Sequence, residues 1–386
     1  MHQVKCPLFY RCGGCDYLDI PYSRQLEFKQ ELLEDYLDKF AKVAPVLPME
    51  NPYHYRNKVQ AVFGYDRKGK VISGIYQKGT HRLIGVKSCL LEDEKAGEIL
   101  QEIRSIIKKL GIRLYDEDNH TGFFRHVLIR RSPATGQIMV IIIGSSYKFS
   151  QEKAFVDLLR RKFPEITSIM LNKNDEDTSM VLSDNPERLL WGKEKIEDDL
   201  CGLRFKISAK SFYQVNSVQA EKLYNVAIRM ALLTGREKVI DAYCGTGTIG
   251  LIAAANNAKS VIGIESNPKA IEDAKENAKL NNIENIEFIS DDAGSYVKRL
   301  VKKKETVDVV FLDPPRSGSD KKFLSSVIKL SPSKIVYISC NVETLERDLR
   351  YVLRFGPYYV RGIQGVDMFC HTKHVETVVL LERDVT

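Results

Sequence analysis

The chain has 386 residues, long for a single core and comfortable for two. With 44% hydrophobic and 28% charged residues, and no apolar run long enough to cross a bilayer, the composition fits a soluble globular protein and excludes a membrane-spanning one. A net charge of +7 permits a polyanionic partner without demanding one.

The first residues, Met1-His2-Gln3-Val4-Lys5, carry no apolar stretch of the kind a signal peptide needs, so the expected location is cytoplasmic. Thiols stay reduced there, and the 8 cysteines read better as metal ligands, catalytic groups or core residues than as disulfides. Cys6, Cys12 and Cys15 surround Gly13-Gly14, a tight turn that lets backbone N–H groups approach bound sulfur. Cys89 precedes Cys201 as the next cysteine and completes a set of four, which suits zinc and a [4Fe-4S] cluster alike. A helix over 23–40 places Leu26, Leu33, Tyr36, Leu37 and Phe40 on one face, which reads as core packing. Arg56, Lys58, Arg67, Lys68, Lys70, Lys78 and Arg82 then alternate with Tyr55, Phe63, Tyr65 and Tyr76. That pattern suits phosphate contacts with stacking surfaces, and equally the solvated face of a β-hairpin. Short β-type runs at 58–63, 71–75 and 137–143, with helices near 91–110 and 150–162, indicate an α+β domain.

From about Lys210 strands and helices alternate, as expected for a Rossmann-like parallel sheet with helices on both faces. The boundary falls between Trp191 and Ser211, dividing the chain into 1–205 and 206–386. The strand at 238–241 runs through Asp241-Ala242-Tyr243-Cys244-Gly245-Thr246-Gly247 into an apolar helix, an arrangement that brings a ligand against exposed backbone N–H groups. Glu265, roughly 20 residues on at the end of the next strand, can accept both hydroxyls of a ribose. The loop lacks a Gly-Lys-Ser/Thr ending, and acidic Asp241 suits S-adenosylmethionine better than a phosphate-bearing nucleotide. Asn267-Pro268 starts a helix to about Leu280, and Asp313, in Asp313-Pro314-Pro315-Arg316, closes a later strand. The strand at 334–339 delivers Cys340 to the same edge, and Asn341 caps the helix behind it, so the helix dipole is expected to favour a Cys340 thiolate.

Ser211-Phe212-Tyr213-Gln214-Val215-Asn216, the Tyr243 loop, Glu265, Asp313-Pro314-Pro315-Arg316, Ser339-Cys340-Asn341 and His374-Val375-Glu376 occur together and in order. In this the chain resembles RNA uracil-C5 methyltransferases, S-adenosylmethionine-dependent class I enzymes that modify ribosomal or transfer RNA. The resemblance implies that Gln214, Tyr243, Glu265 and Asp313, beside Gly245 of the loop, contact the cofactor, that Cys340 is the nucleophile and that Glu376 is the base. The chemistry demands such a pair. Carbon 5 of uracil is too poor a nucleophile for a sulfonium methyl until a thiolate adds at C6, and its proton must then be removed. The family usually has proline where this chain has Cys370. For Cys370 and Cys244 a structural role is expected, and Cys201 is unassigned.

The ribosomal RNA branch of the family carries a [4Fe-4S] cluster on cysteines patterned like Cys6, Cys12, Cys15 and Cys89, whereas bacterial transfer RNA enzymes typically lack them and some archaeal ones keep them. Relatives often have a small β-barrel ahead of the cluster, and the position of Cys6 points instead to the shorter ribosomal RNA members, in which the cluster domain holds the RNA. The expected enzyme is thus a monomer acting on an unstacked uridine of 23S ribosomal RNA. A transfer RNA target is the alternative. Cytosine-C5 enzymes are disfavoured because Arg316 stands where they have a second cysteine, and amino-group methyltransferases because no aromatic residue follows Pro315. A non-catalytic iron-sulfur protein that binds RNA or senses redox state would need neither Cys340 nor Glu376.

Overall fold

The computed structural model describes residues 6–77, 79–80, 82–178 and 180–384, so Met1–Lys5 and Lys78 lie outside the described residues. In chain order the elements begin with α1 (Phe9–Cys12), α2 (Tyr22–Leu37), β1 (Val43–Leu47), β2 (Lys58–Tyr65), β3 (Val71–Tyr76), β4 (Leu83–Gly85), α3 (Glu94–Leu110), β5 (Phe124–Arg131) and β6 (Ile138–Gly144). They continue with α4 (Glu152–Lys162), β7 (Ile166–Lys173), β8 (Glu187–Gly192), β9 (Ile196–Leu200), β10 (Leu203–Ile207), α5 (Ser217–Ala231), β11 (Lys238–Ala242), α6 (Thr248–Ala255) and β12 (Ser260–Glu265). Last come α7 (Pro268–Leu280), β13 (Ile286–Ser290), α8 (Ala293–Lys303), β14 (Val309–Leu312), α9 (Lys321–Leu330), β15 (Lys334–Ser339), α10 (Val342–Phe355), β16 (Tyr358–Val366) and β17 (Glu376–Arg383).

The first sheet has 7 strands in the order β4-β3-β2-β5-β6-β7-β8, antiparallel except at β6–β7, where α4 makes the crossover. Every residue of β6 is buried because both faces of the sheet are covered, which is why its sequence is an unbroken apolar run. On one face Val140 and Ile142 meet Ile99 and Ile103 of α3 and Phe155 of α4. On the other, Met139, Ile141 and Ile143 join a core that includes Leu223 and Ala227 of α5.

The second sheet has 8 strands in the order β1-β16-β17-β15-β14-β11-β12-β13. Strands β11 to β15 are parallel, and β17 runs antiparallel to both β15 and β16. The chain winds away from β11 in both directions, so the crevice over its carboxyl end is the switch point where such sheets bind ligands. The expected helix starts hold: Asn267 caps α7 with Pro268 in its first turn, and Asn341 caps α10.

Two elements, α2 and β1, cross the division expected from the sequence. β1 pairs in parallel with β16 and so belongs to the C-terminal sheet. The reason lies in α2, whose buried residues Gln25, Lys29, Leu33 and Leu37 fall at every fourth position. That stripe needs a cover, which it finds on β16 and α10, and the following strand closes the sheet edge. The helix also ends at Leu37, so Phe40, expected within it, packs from just beyond.

Candidate functional site

The carboxyl edge of the C-terminal sheet gathers most of the residues singled out in the sequence. Tyr243, Gly245, Asp313 and Gln214 line one pocket with Tyr213, Tyr224 and Thr246. The left-handed turn there is real: Tyr243, Gly245 and Gly247 have φ of 65°, 54° and 84°. A Cβ on Gly247 would lie 2.6 Å from the ring of Phe288, whereas one on Gly245 would meet nothing within 4 Å, leaving its backbone open to a ligand. Glu265 sits at the strand end with one oxygen accepting from the Gly245 N–H at 3.3 Å and the other from the Asn267 N–H at 2.9 Å. Burial raises the hydroxyl of buried Tyr224, and the Gln214 side chain acts in the other direction. Asn57, just ahead of β2, donates to the carbonyl of Gln214 at 3.1 Å, and buried Arg130 of β5 donates to that of Ser211 at 2.6 Å.

Asp241 is wholly buried, with one carboxylate oxygen accepting from Gly250 N–H at 2.7 Å and the other without a protein partner. Burial pushes its carboxyl up to about 8, and burial pushes Asp313 up to about 7. Two high-lying carboxyls beside an open glycine backbone suit a cationic ligand with ribose hydroxyls, which is the chemistry of S-adenosylmethionine.

Cys340 follows β15 directly, and Glu376 opens β17. The antiparallel register pairs Ile338 with Val378 and Ser339 with Thr377, so Cys340 and Glu376 follow at the same strand ends, within electrostatic reach of each other. A parallel final strand would have sent Glu376 to the opposite edge of the sheet. Far from being a solvent-facing strand start, Glu376 is 4% exposed. Burial, with Asp313 nearby, raises its carboxyl to about 8, and Arg316 acts in the other direction.

The expected thiolate at Cys340 is corrected by its surroundings. Burial pushes the thiol up to about 11, Glu376 and Asp313 add to this, and Arg316 only partly offsets it. The α10 dipole acts on Cys340 from the first turn, but two neighbouring carboxyls and desolvation outweigh it. Cys340, Arg316, Asn341, His374 and α2 residues Phe28 and Lys29 wall a separate open cleft of about 720 Å³.

At the other end of α2, the thiols of Cys6, Cys12, Cys15 and Cys89 lie within electrostatic reach of one another. Burial lifts Cys15 to about 12, and Cys89, Cys12 and Cys6 contribute, while the Arg56 guanidinium opposes them. The expected turn is present, with Gly13 at φ 70°, and a Cβ on Gly14 would lie 3.3 Å from the Cys12 sulfur. Burial raises the Cys89 thiol, and the backbone N–H groups of Leu91 and Glu92 act to lower it. These donors suit a thiophilic metal group, although among the described residues no three His, Cys, Asp or Glu side chains converge on a point as one metal ion requires.

Cys370 is fully buried and packs with Met49, Tyr55 and Leu91 against Cys15 and Cys89, and Cys244 is buried in the cofactor pocket wall. Of the aromatic and basic run, Tyr55 and Phe63 are core residues and Tyr65 is exposed. Arg316 and Lys29 were missed in the sequence as parts of a site. Lys29 could have been noticed, since it shares a four-residue spacing with Leu33 and Leu37 on the buried stripe.

Among the described residues no helix is long and apolar enough to cross a membrane. A family profile for tRNA (Uracil-5-)-methyltransferase matches residues 168–384. An uncharacterized RNA methyltransferase of Halalkalibacterium halodurans is 40% identical over 385 residues, covering 98% of this chain and 83% of the relative. One of Bacillus cereus is 41% identical over 386 residues, covering 99% and 83%. The crystal structure of Pyrococcus abyssi tRNA (uracil-54, C5)-methyltransferase with S-adenosyl-L-homocysteine aligns with a TM-score of 0.80 at 27% identity, over 98% of this chain and 87% of that one. A Rossmann-like class I sheet with a cofactor crevice at its switch point, together with these relatives, establishes that the chain belongs to the S-adenosylmethionine-dependent RNA uracil-C5 methyltransferase family.

Proposed function

We propose that the protein methylates C5 of a uridine in 23S ribosomal RNA, with Cys340 as nucleophile and Glu376 as base. The observation that carries the mechanism is the β15–β17 register, which sets a thiol and a carboxyl side by side at the edge where the cofactor crevice opens. The bound cofactor supplies an electrophilic methyl group on a sulfonium, and Gln214, Tyr243, Gly245, Glu265 and Asp313 are the residues that would hold it. A sulfonium held among these residues would favour the anionic forms of Cys340 and Glu376, both of which burial raises.

Cys340 Sγ bonds to C6 of the uracil while the C5–C6 π pair moves to the O4 enolate, with Arg316 beside the developing charge. The enolate pair at C5 would then form the bond to the methyl carbon as the S–CH3 bond of the donor breaks, its electron pair staying on sulfur as a neutral thioether. Glu376 accepts the C5 proton, and the electron pair of that C–H bond re-forms the C5–C6 double bond as the C6–S bond breaks, returning the thiolate.

The cysteine set supports the ribosomal assignment, because the sequence resembles the iron-sulfur branch of the family at Cys6, Cys12, Cys15 and Cys89. A tetrahedral zinc site, with Zn–S bonds of about 2.3 Å, needs its sulfurs within about 4 Å of one another, whereas a [4Fe-4S] cluster spaces them more widely. The resemblance at these four cysteines is what favours the cluster over zinc. In this reading residues 1–205, apart from α2 and β1, form the cluster and RNA-binding domain and 206–386 the catalytic domain. A transfer RNA target is favoured by one observation, the likeness to the Pyrococcus abyssi enzyme.

The test is incubation with ribosomal and transfer RNA transcribed with 5-fluorouridine in place of uridine. A denaturation-resistant adduct that needs S-adenosylmethionine, forms on 23S RNA and vanishes in Cys340→Ser is expected. Adduct on transfer RNA alone would select the second reading, and adduct on neither would refute the mechanism.

A further inference from the structure

The nine residues before Glu376 form a strap between β16 and β17 whose carbonyls are captured one after another. Gln219 donates to Asp367 O at 3.0 Å, Asn216 to Met368 O at 3.0 Å, and Tyr55 Oη to Cys370 O at 2.9 Å. The Asp16 and Tyr17 N–H groups donate to His371 O at 2.9 and 3.0 Å. His371 holds a left-handed φ of 64°, a conformation a non-glycine residue keeps only when its surroundings impose it.

At the centre lies an ion pair with almost no solvent contact. Lys29 Nζ of α2 donates to Asp367 Oδ1 at 2.5 Å, with side chains 1% and 0% exposed, and also to Phe369 O at 3.1 Å. Tyr22 Oη donates to the other Asp367 oxygen at 2.7 Å, and Gln25 binds both the N–H and the ring Nδ1 of His371, each at 3.1 Å. One helix therefore grips the strap at three successive turns. The same helix continues to Leu33, which would lie 2.5 Å from a Cβ on Gly365, while Val375, adjacent to Glu376, would lie 3.6 Å from that atom. A buried pair contributes little net stability against an apolar replacement, so its use here calls for another explanation.

We infer that the Lys29–Asp367 pair is a positioning element for Glu376, fixing the strap so that the carboxyl stands opposite Cys340 when the C5 proton must leave. This rests on the reading of Glu376 as the base. Displacement of the strap then impairs proton removal more than thiol addition or methyl transfer, so the covalent methylated RNA–protein species accumulates on ordinary uridine.

The experiment compares full-length wild type, Glu376→Gln, Asp367→Asn and Tyr22→Phe on uridine-containing RNA with methyl-labelled S-adenosylmethionine. It reads turnover, the fraction of labelled denaturation-resistant adduct, cofactor Kd and thermal midpoint. Asp367→Asn should lose about a hundredfold in turnover, the scale of a 1 Å misplacement, with cofactor Kd within about twofold and adduct rising as in Glu376→Gln. Tyr22→Phe removes one Asp367 contact while keeping the packing, and should show the same pattern at about tenfold, which guards against an Asp367→Asn protein that does not fold. Folded Asp367→Asn or Tyr22→Phe with wild-type turnover, or with lost turnover and no adduct while Glu376→Gln accumulates it, overturns the proposal alone. No adduct from Glu376→Gln overturns the base assignment, and the proposal with it.

Discussion

Two thiol sites flank α2, and they are built on one electrostatic plan with different partners. At Cys340 burial raises the thiol, Glu376 and Asp313 raise it further, and Arg316 opposes. At Cys15 burial again leads, the other thiols take the part of the carboxyls, and Arg56 opposes. Burial raises the thiol at each site, and an added cation would lower it: a bound sulfonium at Cys340 and, in the proposed reading, iron at Cys15. A reactive cysteine is usually recognised by a lowered pKa, whereas the proposed nucleophile has a raised one that the charge of a bound sulfonium would bring down.

The largest effect expected from breaking this comparison is at the nucleophile. Cys340→Ser should reduce turnover by about 10⁴-fold or more, since the alkoxide needed to attack C6 is inaccessible at neutral pH, while cofactor Kd stays unchanged. Measuring both by single turnover and calorimetry checks it, and a matching loss of cofactor binding would show Cys340 to be structural.

The cysteine end should respond next. Protein purified without oxygen should contain iron and sulfide, and Cys89→Ser should lose most of both, with its catalytic core still binding S-adenosylmethionine. Stoichiometric zinc in the wild type would break the symmetry between the two sites, because a single ion needs sulfurs closer together than a cluster does. Arg56→Met should act in the same direction but less strongly, since it removes only the charge that offsets thiolate repulsion.

These expectations draw unequally on what the sequence discloses. The alternation of strands and helices after Lys210, the glycine turn and the caps at Asn267 and Asn341 are local signals, and local geometry follows them. Which edge of the sheet Glu376 reaches depends instead on the direction of the last strand, a non-local property that no run of residues 374–383 encodes. The same holds for α2. Its apolar period announces burial, but a lysine on the buried stripe has meaning only once Asp367, 338 positions away, is seen to face it. The raised Cys340 thiol is hidden for a related reason: the helix cap is readable in Asn341, whereas the two opposing carboxyls arrive from other strands.

A subtler consequence concerns the donor's charge. If the sulfonium releases Cys340, alkylation of Cys340 by iodoacetamide should follow an apparent pKa near the value of about 11 without ligand, and that value should fall on adding S-adenosylmethionine. S-adenosylhomocysteine, with a neutral sulfur, should produce a clearly smaller fall. Equal shifts with both would attribute the release to a conformational change and not to charge.

The smallest effect tests the carboxyl side of the comparison through stability. Asp241 rises from an ordinary carboxyl value to about 8 on folding, chiefly by burial, so the folded chain retains a proton that the unfolded chain has lost. Stability from this group is therefore fully present below about pH 4 and is lost as pH rises to about 8, at about 1.4 kcal/mol per pH unit within that window. His126 and His371, lowered to about 4 by burial, change stability in the opposite sense up to about pH 6.5, so the window that isolates the carboxyls is about 6.5 to 8. Asp241→Asn keeps an oxygen for the Gly250 N–H and removes the charge. In urea titrations of the cofactor-free protein its stability should gain on wild type steadily across that window. Parallel curves would mean that Asp241 stays ionised in the fold, and that its second oxygen has a partner other than a proton.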